Sequence, residues 1–248
     1  MACGRIPGVI IAPNTRELLR AAVHNNAQWC AAVSGGGSFA ADAWTSARRT
    51  PPYYPDGVTL TREASADALL AGMDTDSPGC SVKDSFAVLD LAPAGFEVLF
   101  AAQWIHRPAD APAPAASALT WSRVADAGEL AAWEAAWGGG ESTGPFHPGL
   151  LTEEIAFFAG RSADGRIAAG AAANRTGAHR TQAVAGLSNV FTADGTPGDE
   201  AWTGALTAVA DVWPGLPVVG YEAGDDLDTA VRHGFAPLGP LRVWLHTA

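Results

Sequence analysis

The sequence predicts an α/β (α+β) fold in which helices flank a mixed sheet. Strands and helices alternate near the C-terminus, with strands predicted at 183–191, 216–221 and 241–245 and helices at 201–213 and 227–233. Two earlier runs, 154–160 and 166–174, flank Asp164-Gly165, a strong hairpin signal. A strand–helix–strand crossover that joins parallel strands is right-handed. We therefore expect the strands at 183–191 and 216–221 to be adjacent, parallel and diverging at one end.

Each element has its own local signal. In the helix at 201–213, the side chains of Trp202, Leu206, Val209 and Trp213 share one face. Gly234 follows the helix at 227–233, as a glycine commonly does at a helix C-terminus. A strand at 119–124 and a helix at 129–137, ended by three glycines, precede the hairpin.

The N-terminal part begins with a helix that extends to Val33, with Asn14 and Glu17 as a capping box. The pattern then predicts an aromatic loop over 42–57, a short helix over 65–73, and a hairpin of two strands. The strands of this hairpin are Asp84–Leu91 and Glu97–Ile105.

A segment rich in Pro and Ala divides the chain. Residues 108–117 contain three prolines between apolar stretches and predict an extended linker. The predicted organisation is therefore an N-terminal half at 1–107, the linker at 108–117 and a C-terminal domain at 118–248. Both parts show helices followed by antiparallel strands, so we expect two related halves.

Composition indicates a globular enzyme. The chain has 248 residues, 48% of them hydrophobic and 17% charged, and a net charge of −11. That acidity argues against nucleic acid and anionic membrane as partners. Three cysteines without CxxC spacing predict reduced thiols rather than a disulfide framework, and no His/Glu spacing indicates a metal. Residues 1–14 lack the pattern of a signal peptide, and we expect a cytoplasmic protein.

The C-terminal element order resembles that of the Gcn5-related N-acyltransferase (GNAT) superfamily. The residues that carry the resemblance are His233-Gly234-Phe235 at the last helix and Ser188-Asn189-Val190-Phe191 in the strand before the crossover. It covers roughly 118–248 and implies that the pantetheine arm of an acyl donor lies between the strands at 183–191 and 216–221. The implied reaction moves an acyl group from a pantetheine thioester to an amine of a small molecule.

Two departures from the family pattern bear on the donor. The loop before the penultimate long helix lacks the family's Arg/Gln-x-x-Gly spacing and carries Asp194, Asp199 and Glu200, which would repel the diphosphate of coenzyme A. Acids in a helix first turn are also ordinary stabilising residues. In this chain, Ala230 occupies the position at which the family has a Tyr that acts as the general acid. These departures leave open an unusual coenzyme A site, a carrier-protein donor, or a domain that has lost catalysis.

The resemblance suggests a catalytic set at the strand ends: Ser188, Asn189, Tyr221 and Glu222. We expect Glu222 to act as the base and Tyr221 to protonate the departing thiol, whereas Ser188 or Asn189 polarises the thioester or holds the acceptor. As an alternative, Ser188 and Asn189 are outward strand residues bonded to neighbours.

A second cluster predicts acceptor contacts. Asn26 interrupts an apolar helical stripe, so its amide either bonds a loop backbone or lines a ligand pocket. Lys83 and Asp84 either begin an exposed strand, or Asp84 and Ser85 bind the amine acceptor in a cleft between the halves. The predicted substrate-binding residues are Asn26, Trp29, Trp44, Tyr53, Tyr54, Asp84 and Ser85.

The implied cosubstrate is an acyl donor linked through phosphopantetheine, either a carrier protein or coenzyme A, with no tightly bound cofactor. A carrier protein would need an arginine patch, for which the candidates are Arg175, Arg180 and Arg242. The alternative function is a catalytically silent protein of the same fold that binds a small ligand or a protein partner.

Overall fold

A computed structural model describes residues 15–140, 144–177, 182–193 and 195–247. Eleven strands in these ranges form a single mixed sheet, and five α-helices pack against it. The helices are α1 Thr15–Val33, α2 Ala66–Leu70, α3 Ala127–Trp137, α4 Gly198–Val212 and α5 Gly224–Arg232. The strands are β1 Ser38–Phe39, β2 Ala43–Thr45, β3 Gly57–Thr59, β4 Ser81–Asp84, β5 Phe96–Arg107, β6 Thr120–Arg123, β7 Ile155–Arg161, β8 Ile167–Thr176, β9 Val184–Thr192, β10 Val218–Glu222 and β11 Ala236–His246.

The last strand joins the two parts of the chain. In the strand order β1-β2-β3-β4-β11-β5-β10-β9-β8-β7-β6, β11 lies between β4 and β5. β5 in turn pairs antiparallel with β10. Strands from the sequence ranges on either side of the linker are thus interleaved in one sheet.

The strand order is symmetrical about the β11–β5 pair. A parallel pair lies directly beside it on each side, β3 with β4 next to β11 and β9 with β10 next to β5. A helix connects the strands of each parallel pair, α2 in the first and α4 in the second. The common origin of the two halves stays a prediction, as does the boundary at 108–117.

The expected opening between β9 and β10 is present. The two strands are parallel and adjacent, but their register covers only Val218 with Ala185 and Val219 with Gly186. Beyond these pairs β9 continues to Thr192 and β10 to Glu222 without pairing to each other. The remaining residues of β10 pair with β5 alone.

The sheet separates two layers of helices. Phe157 and Trp104 face the cluster that contains residues of α1 and α3, whereas their neighbours Phe158 and Ile105 face the cluster that contains α4 and α5. Successive strand side chains point to opposite faces, which explains the division. α2 packs over the far end of the sheet on the side of Val82 and Trp244.

The predicted hairpin of Asp84–Leu91 with Glu97–Ile105 is wrong. β4 ends at Asp84, whose carboxylate accepts hydrogen bonds from the backbone N–H groups of Phe86 and Leu89. These bonds turn the chain at the point where apolar residues suggested a strand. The second strand exists as β5, but it pairs with β10 and β11.

The predicted loop over 42–57 is also partly wrong, because it contains β2 and the start of β3. Both are three residues long. Segments this short carry too few residues to show the period-2 pattern that identifies a strand.

Two asparagines attach α1 to the C-terminal part of the sheet. Asn25 Nδ2 donates to the carbonyl of Asn174 at 3.0 Å and to Thr176 Oγ1 at 3.0 Å, and Asn174 Nδ2 donates to the carbonyl of Asn25 at 3.2 Å. Both asparagines are buried. Gly186 lies beneath them, and a Cβ there would be 1.8 Å from Asn25 Oδ1.

We expect Gly186→Ala to lower the free energy of unfolding by about 2–4 kcal/mol, because the methyl group would displace the Asn25 amide from its buried partners. Chemical denaturation measures this loss. Gly198→Ala is the matched control, since nothing lies within 4 Å of a Cβ there. In an Asn25→Ala background the Gly186→Ala loss should shrink; an undiminished loss would show that the clash is not with Asn25.

Candidate functional site

A pocket of about 210 Å³ lies at the point where β9 and β10 diverge. One wall comes from the ends of these two strands, and α1 and the loop before β3 close the opposite side. The lining residues are Asn26, Trp29, Cys30, Tyr53, Tyr54, Pro55, Lys83, Leu187, Ser188, Asn189, Val190, Tyr221 and Glu222.

The structure brings the four predicted catalytic residues together in this pocket. Ser188 and Asn189 come from β9, and Tyr221 and Glu222 come from the end of β10. The separation of the strands leaves all four at the opening. Their roles stay predictions.

A β-bulge places Ser188 and Asn189. On β9, Asn189 and Val190 together oppose one residue of β8, because Ala172 pairs with Ser188 and Gly170 pairs with Phe191. Asn189 has φ of 51°, a left-handed value that asparagine tolerates better than most residues. An extra residue of this kind bends a strand, which fits the divergence of β9 from β10.

Polar groups around the bulge are unevenly paired. Tyr54 Oη donates to Asn189 Oδ1 at 3.3 Å, whereas Ser188 Oγ is buried and has no hydrogen-bond partner among the described residues. A buried hydroxyl without a partner costs free energy, so Ser188 is suited to bond a ligand.

Four of the predicted substrate-binding residues also line the pocket. Asn26 and Trp29 come from α1, and Tyr53 and Tyr54 come from the loop before β3. Trp29 packs edge-on to Tyr54, with ring centroids 6.3 Å apart. Burial first, and the neighbouring Cys30, raise the pKa of the Tyr54 hydroxyl, so it remains a neutral donor.

The other three lie outside the pocket lining. Trp44 is fully buried beside Phe39. The Asp84 carboxylate is occupied by the turn after β4, and the Ser85 carbonyl accepts from Trp104 Nε1 at 2.8 Å. Alternation along the strand explains the absence of Asp84, because Lys83 faces the pocket and its neighbour Asp84 therefore points away.

Lys83 is the cationic residue of the pocket lining, and sequence reasoning missed it. The sequence is compatible with an exposed strand start at Lys83, yet Lys83 is only 3% exposed. Its Nζ donates to Asn26 Oδ1 at 2.7 Å and to Tyr221 Oη at 3.2 Å. The available signal was that the chain contains no other lysine.

The Glu222 carboxyl has an unusual environment. Burial first, and the negative charge of Asp226 second, raise its pKa to about 8. The group is therefore mostly protonated at neutral pH and becomes a base only as the pH rises. Perturbed carboxyls of this kind are common at catalytic positions.

The acids at the start of α4 have protein partners. Glu200 accepts from Ser117 Oγ at 2.8 Å and from the backbone N–H of Ala118 at 2.9 Å. Asp199 lies 3.0 Å from His233 Nε2, and this bond lowers the Asp199 pKa. Ala230, at the position of the family's Tyr, is fully buried. Asp194 and Asn14 lie outside the described residues.

The three arginines proposed for carrier-protein contact are not equivalent. The Arg175 guanidinium bonds both carboxylate oxygens of Glu154, at 2.6 and 2.8 Å. Arg242 lies on β11, and Arg180 lies outside the described residues.

Over the described ranges, no set of three His, Cys, Asp or Glu side chains is arranged to hold a metal. None of the described helices combines the length and apolarity that a membrane span needs.

We expect the unfolding free energy to fall as the pH rises from about 5 to about 8, because the unfolded chain releases the Glu222 proton near the ordinary value of 4.5 and the folded protein keeps it until about 8. Glu222→Gln removes this titration. The free energy of unfolding of the variant, relative to that of the parent, should therefore rise by about 1–3 kcal/mol across that interval. Denaturation at both pH values measures it, with the exposed Glu153→Gln as control. Parallel pH curves for Glu222→Gln and the parent would contradict the assignment.

Comparisons with known proteins agree with the geometry at the level of the fold. No protein-family model and no curated protein matches the sequence. A GCN5-related N-acetyltransferase from Kribbella flavida is 17% identical with a TM-score of 0.64, over 92% of this chain and 96% of that one. A putative acetyltransferase of the GNAT family from Novosphingobium aromaticivorans is 15% identical with a TM-score of 0.59, over 91% and 99% of the two chains.

A third structure, a functionally unknown conserved protein from Staphylococcus epidermidis, is 9% identical with a TM-score of 0.56, over 85% of this chain and 93% of that one. The matches extend across both parts of the chain, beyond the 118–248 range in which the sequence resemblance lies. The protein therefore has the fold of the GCN5-related N-acetyltransferases, in a divergent form.

Proposed function

We propose that this protein transfers an acyl group from a pantetheine thioester to the amine of a small molecule. The observation that carries the proposal is the pocket at the β9–β10 opening, where Ser188, Asn189, Tyr221 and Glu222 converge. An unpaired strand edge there offers backbone groups to an extended pantetheine arm. Two structures of the same fold are named as acetyltransferases, which supports the class of reaction.

The residues of the pocket suit this chemistry. The amine nitrogen of the acceptor attacks the thioester carbonyl carbon, the C–N bond forms and the C–S bond breaks. Ser188 Oγ donates a hydrogen bond to the carbonyl oxygen as negative charge develops on it. Glu222 in its ionised form accepts the proton that the amine loses, and Tyr221 donates a proton to the departing sulfur.

The protein recognises the pantetheine arm of the donor more than its diphosphate end. The first turn of α4, where anions commonly bind, holds Asp199 and Glu200, and Glu200 ties this turn to the linker. Both a carrier protein and coenzyme A present the same arm. A carrier protein lacks the adenosine diphosphate end that the acids would repel.

A second candidate is a protein of this fold that binds a ligand without catalysis. The fully buried Ala230 in place of the family's Tyr favours it, since no proton donor can act from that position. Absence of turnover with every donor, together with retained ligand binding, would be its signature.

We expect S-acetylpantetheine to support turnover with kcat/KM within about tenfold of the value for acetyl-coenzyme A. The acids at the start of α4 repel the diphosphate, so the diphosphate should add little binding free energy. Steady-state kinetics with an amine acceptor measures the ratio, and an acyl-loaded carrier protein forms the third arm. Asp199→Asn with Glu200→Gln should improve acetyl-coenzyme A selectively. A preference for acetyl-coenzyme A above about a thousandfold would show that the acids are no obstacle.

Tyr221→Phe and Glu222→Gln should each lower kcat by roughly 10²–10⁴-fold with the fold intact, since each removes one positioned proton-transfer group. For the Glu222 group, the parent rate should rise with pH toward about 8 and the Gln variant should lose this dependence. Glu153→Gln, on an exposed turn, serves as the control. Turnover of either variant within about threefold of the parent excludes that residue from the mechanism.

A further inference from the structure

Lys83 holds a positive charge in the pocket wall. β4 is paired on both sides at this residue, parallel to β3 through Val58 and antiparallel to β11 through Val243. Its side chain therefore has a fixed direction toward α1 and β10. The Nζ atom lies 4.2 Å from the centre of the Tyr221 ring, within the range of a cation–π contact.

The partners of this ammonium group are all neutral groups. Asn26 Oδ1 and Tyr221 Oη accept two of its three N–H bonds. Within the described ranges, no carboxylate oxygen lies within 4.0 Å of Lys83 Nζ. The neighbouring Asp84 faces the opposite side of the sheet, and Glu222 is mostly uncharged at neutral pH.

Lys83 nevertheless remains a cation. Burial is the largest single influence on the Lys83 pKa and lowers it, but electrostatic interaction with Tyr221 and Cys30, together with the hydrogen bond to Tyr221 Oη, raises the pKa above the ordinary lysine value. A buried charge without a counter-ion is costly, and buried charges are as a rule paired, so an anionic ligand would complete the pair. The remaining N–H bond of Lys83 is the place for an anionic oxygen.

The ligand also has room for an apolar group. A groove of about 690 Å³ shares Lys83, Tyr221 and both tyrosines of the loop before β3 with the pocket, and its far wall carries Leu99, Phe100 and Leu245. Leu99 and Phe100 are exposed apolar residues, at 56% and 38%. An anionic group at Lys83 can thus be continuous with an apolar body in the groove.

We propose that Lys83 binds the carboxylate of the acyl acceptor, and that the acceptor is an apolar amino acid or a closely similar amino carboxylate. This inference rests on the proposed acyl transfer and specifies its acceptor. A single carboxylate fits the site, because Lys83 is the one cationic side chain of the pocket lining and Arg49, in the groove, is already paired with Asp56. A phosphate dianion would need more donors than Lys83 offers. Lys83 acts here as a binding residue.

Calorimetry with a non-reacting pair of probes tests the carboxylate site directly. 3-Phenylpropionate and 3-phenylpropanamide share size and shape but differ in charge. We expect the wild-type protein to bind the propionate at least tenfold more tightly, and Lys83→Met to lose this preference. Lys83→Gln provides a second variant that keeps a polar group. Equal binding of the two probes to wild type, absence of binding by both, or a preference retained in the variants would overturn the proposal.

A kinetic comparison separates this inference from the proposed function. With S-acetylpantetheine as donor, phenylalanine should exceed phenethylamine in kcat/KM by at least tenfold, and Lys83→Met should remove the difference through KM. Equal use of both amines would overturn the carboxylate site and leave acyl transfer standing. Propionate binding that depends on Lys83, without turnover of any amine, would support the site and reject the proposed reaction.

Discussion

The insertion of β11 between β4 and β5 is the constraint on which the rest of the structure depends. β11 pairs with β5 from Ala236 to His246 and with β4 from Arg242 to Leu245. Without this strand, β4 would have no link to the C-terminal part of the sheet. Because it is present, Lys83 on β4 and Tyr221 on β10 occupy one rigid surface, and their side chains meet across two intervening strands.

The pocket is built from three distant parts of the chain. α1 supplies Asn26 and Trp29, and its position over the sheet is fixed by the bonds between Asn25 and Asn174. These bonds are possible because Gly186 leaves the space that a side chain would fill. The neighbouring strand divergence then creates the opening, and the bulge at Asn189 lies in the part of β9 that has left β10.

Two ionisable groups, the half-buried Glu222 and the buried Lys83, give the pocket its chemical character. Glu222 is held mostly neutral by burial and by Asp226, whereas Lys83 is held charged next to neutral oxygen atoms. The low polarity that raises the Glu222 pKa also strengthens any ion pair formed with Lys83. In the proposed function, Lys83 would hold an anion and Glu222 would transfer the proton.

The sequence alone determined the fold class and the crossover of 183–221 from local periodicity and short glycine signals, and its resemblance to the GNAT superfamily indicated the residues at the strand ends. Helix α4 and strands β7 to β10 lie close to their predicted positions. Lys83 was missed for a different reason. Its burial depends on pairing with β3 and β11, and β11 is more than 150 residues away in the sequence. The hairpin after Asp84 was misassigned for two reasons. The Asp84 carboxylate accepts hydrogen bonds that turn the chain after β4. The strand that follows, β5, pairs with β10 and β11, which are distant in the sequence.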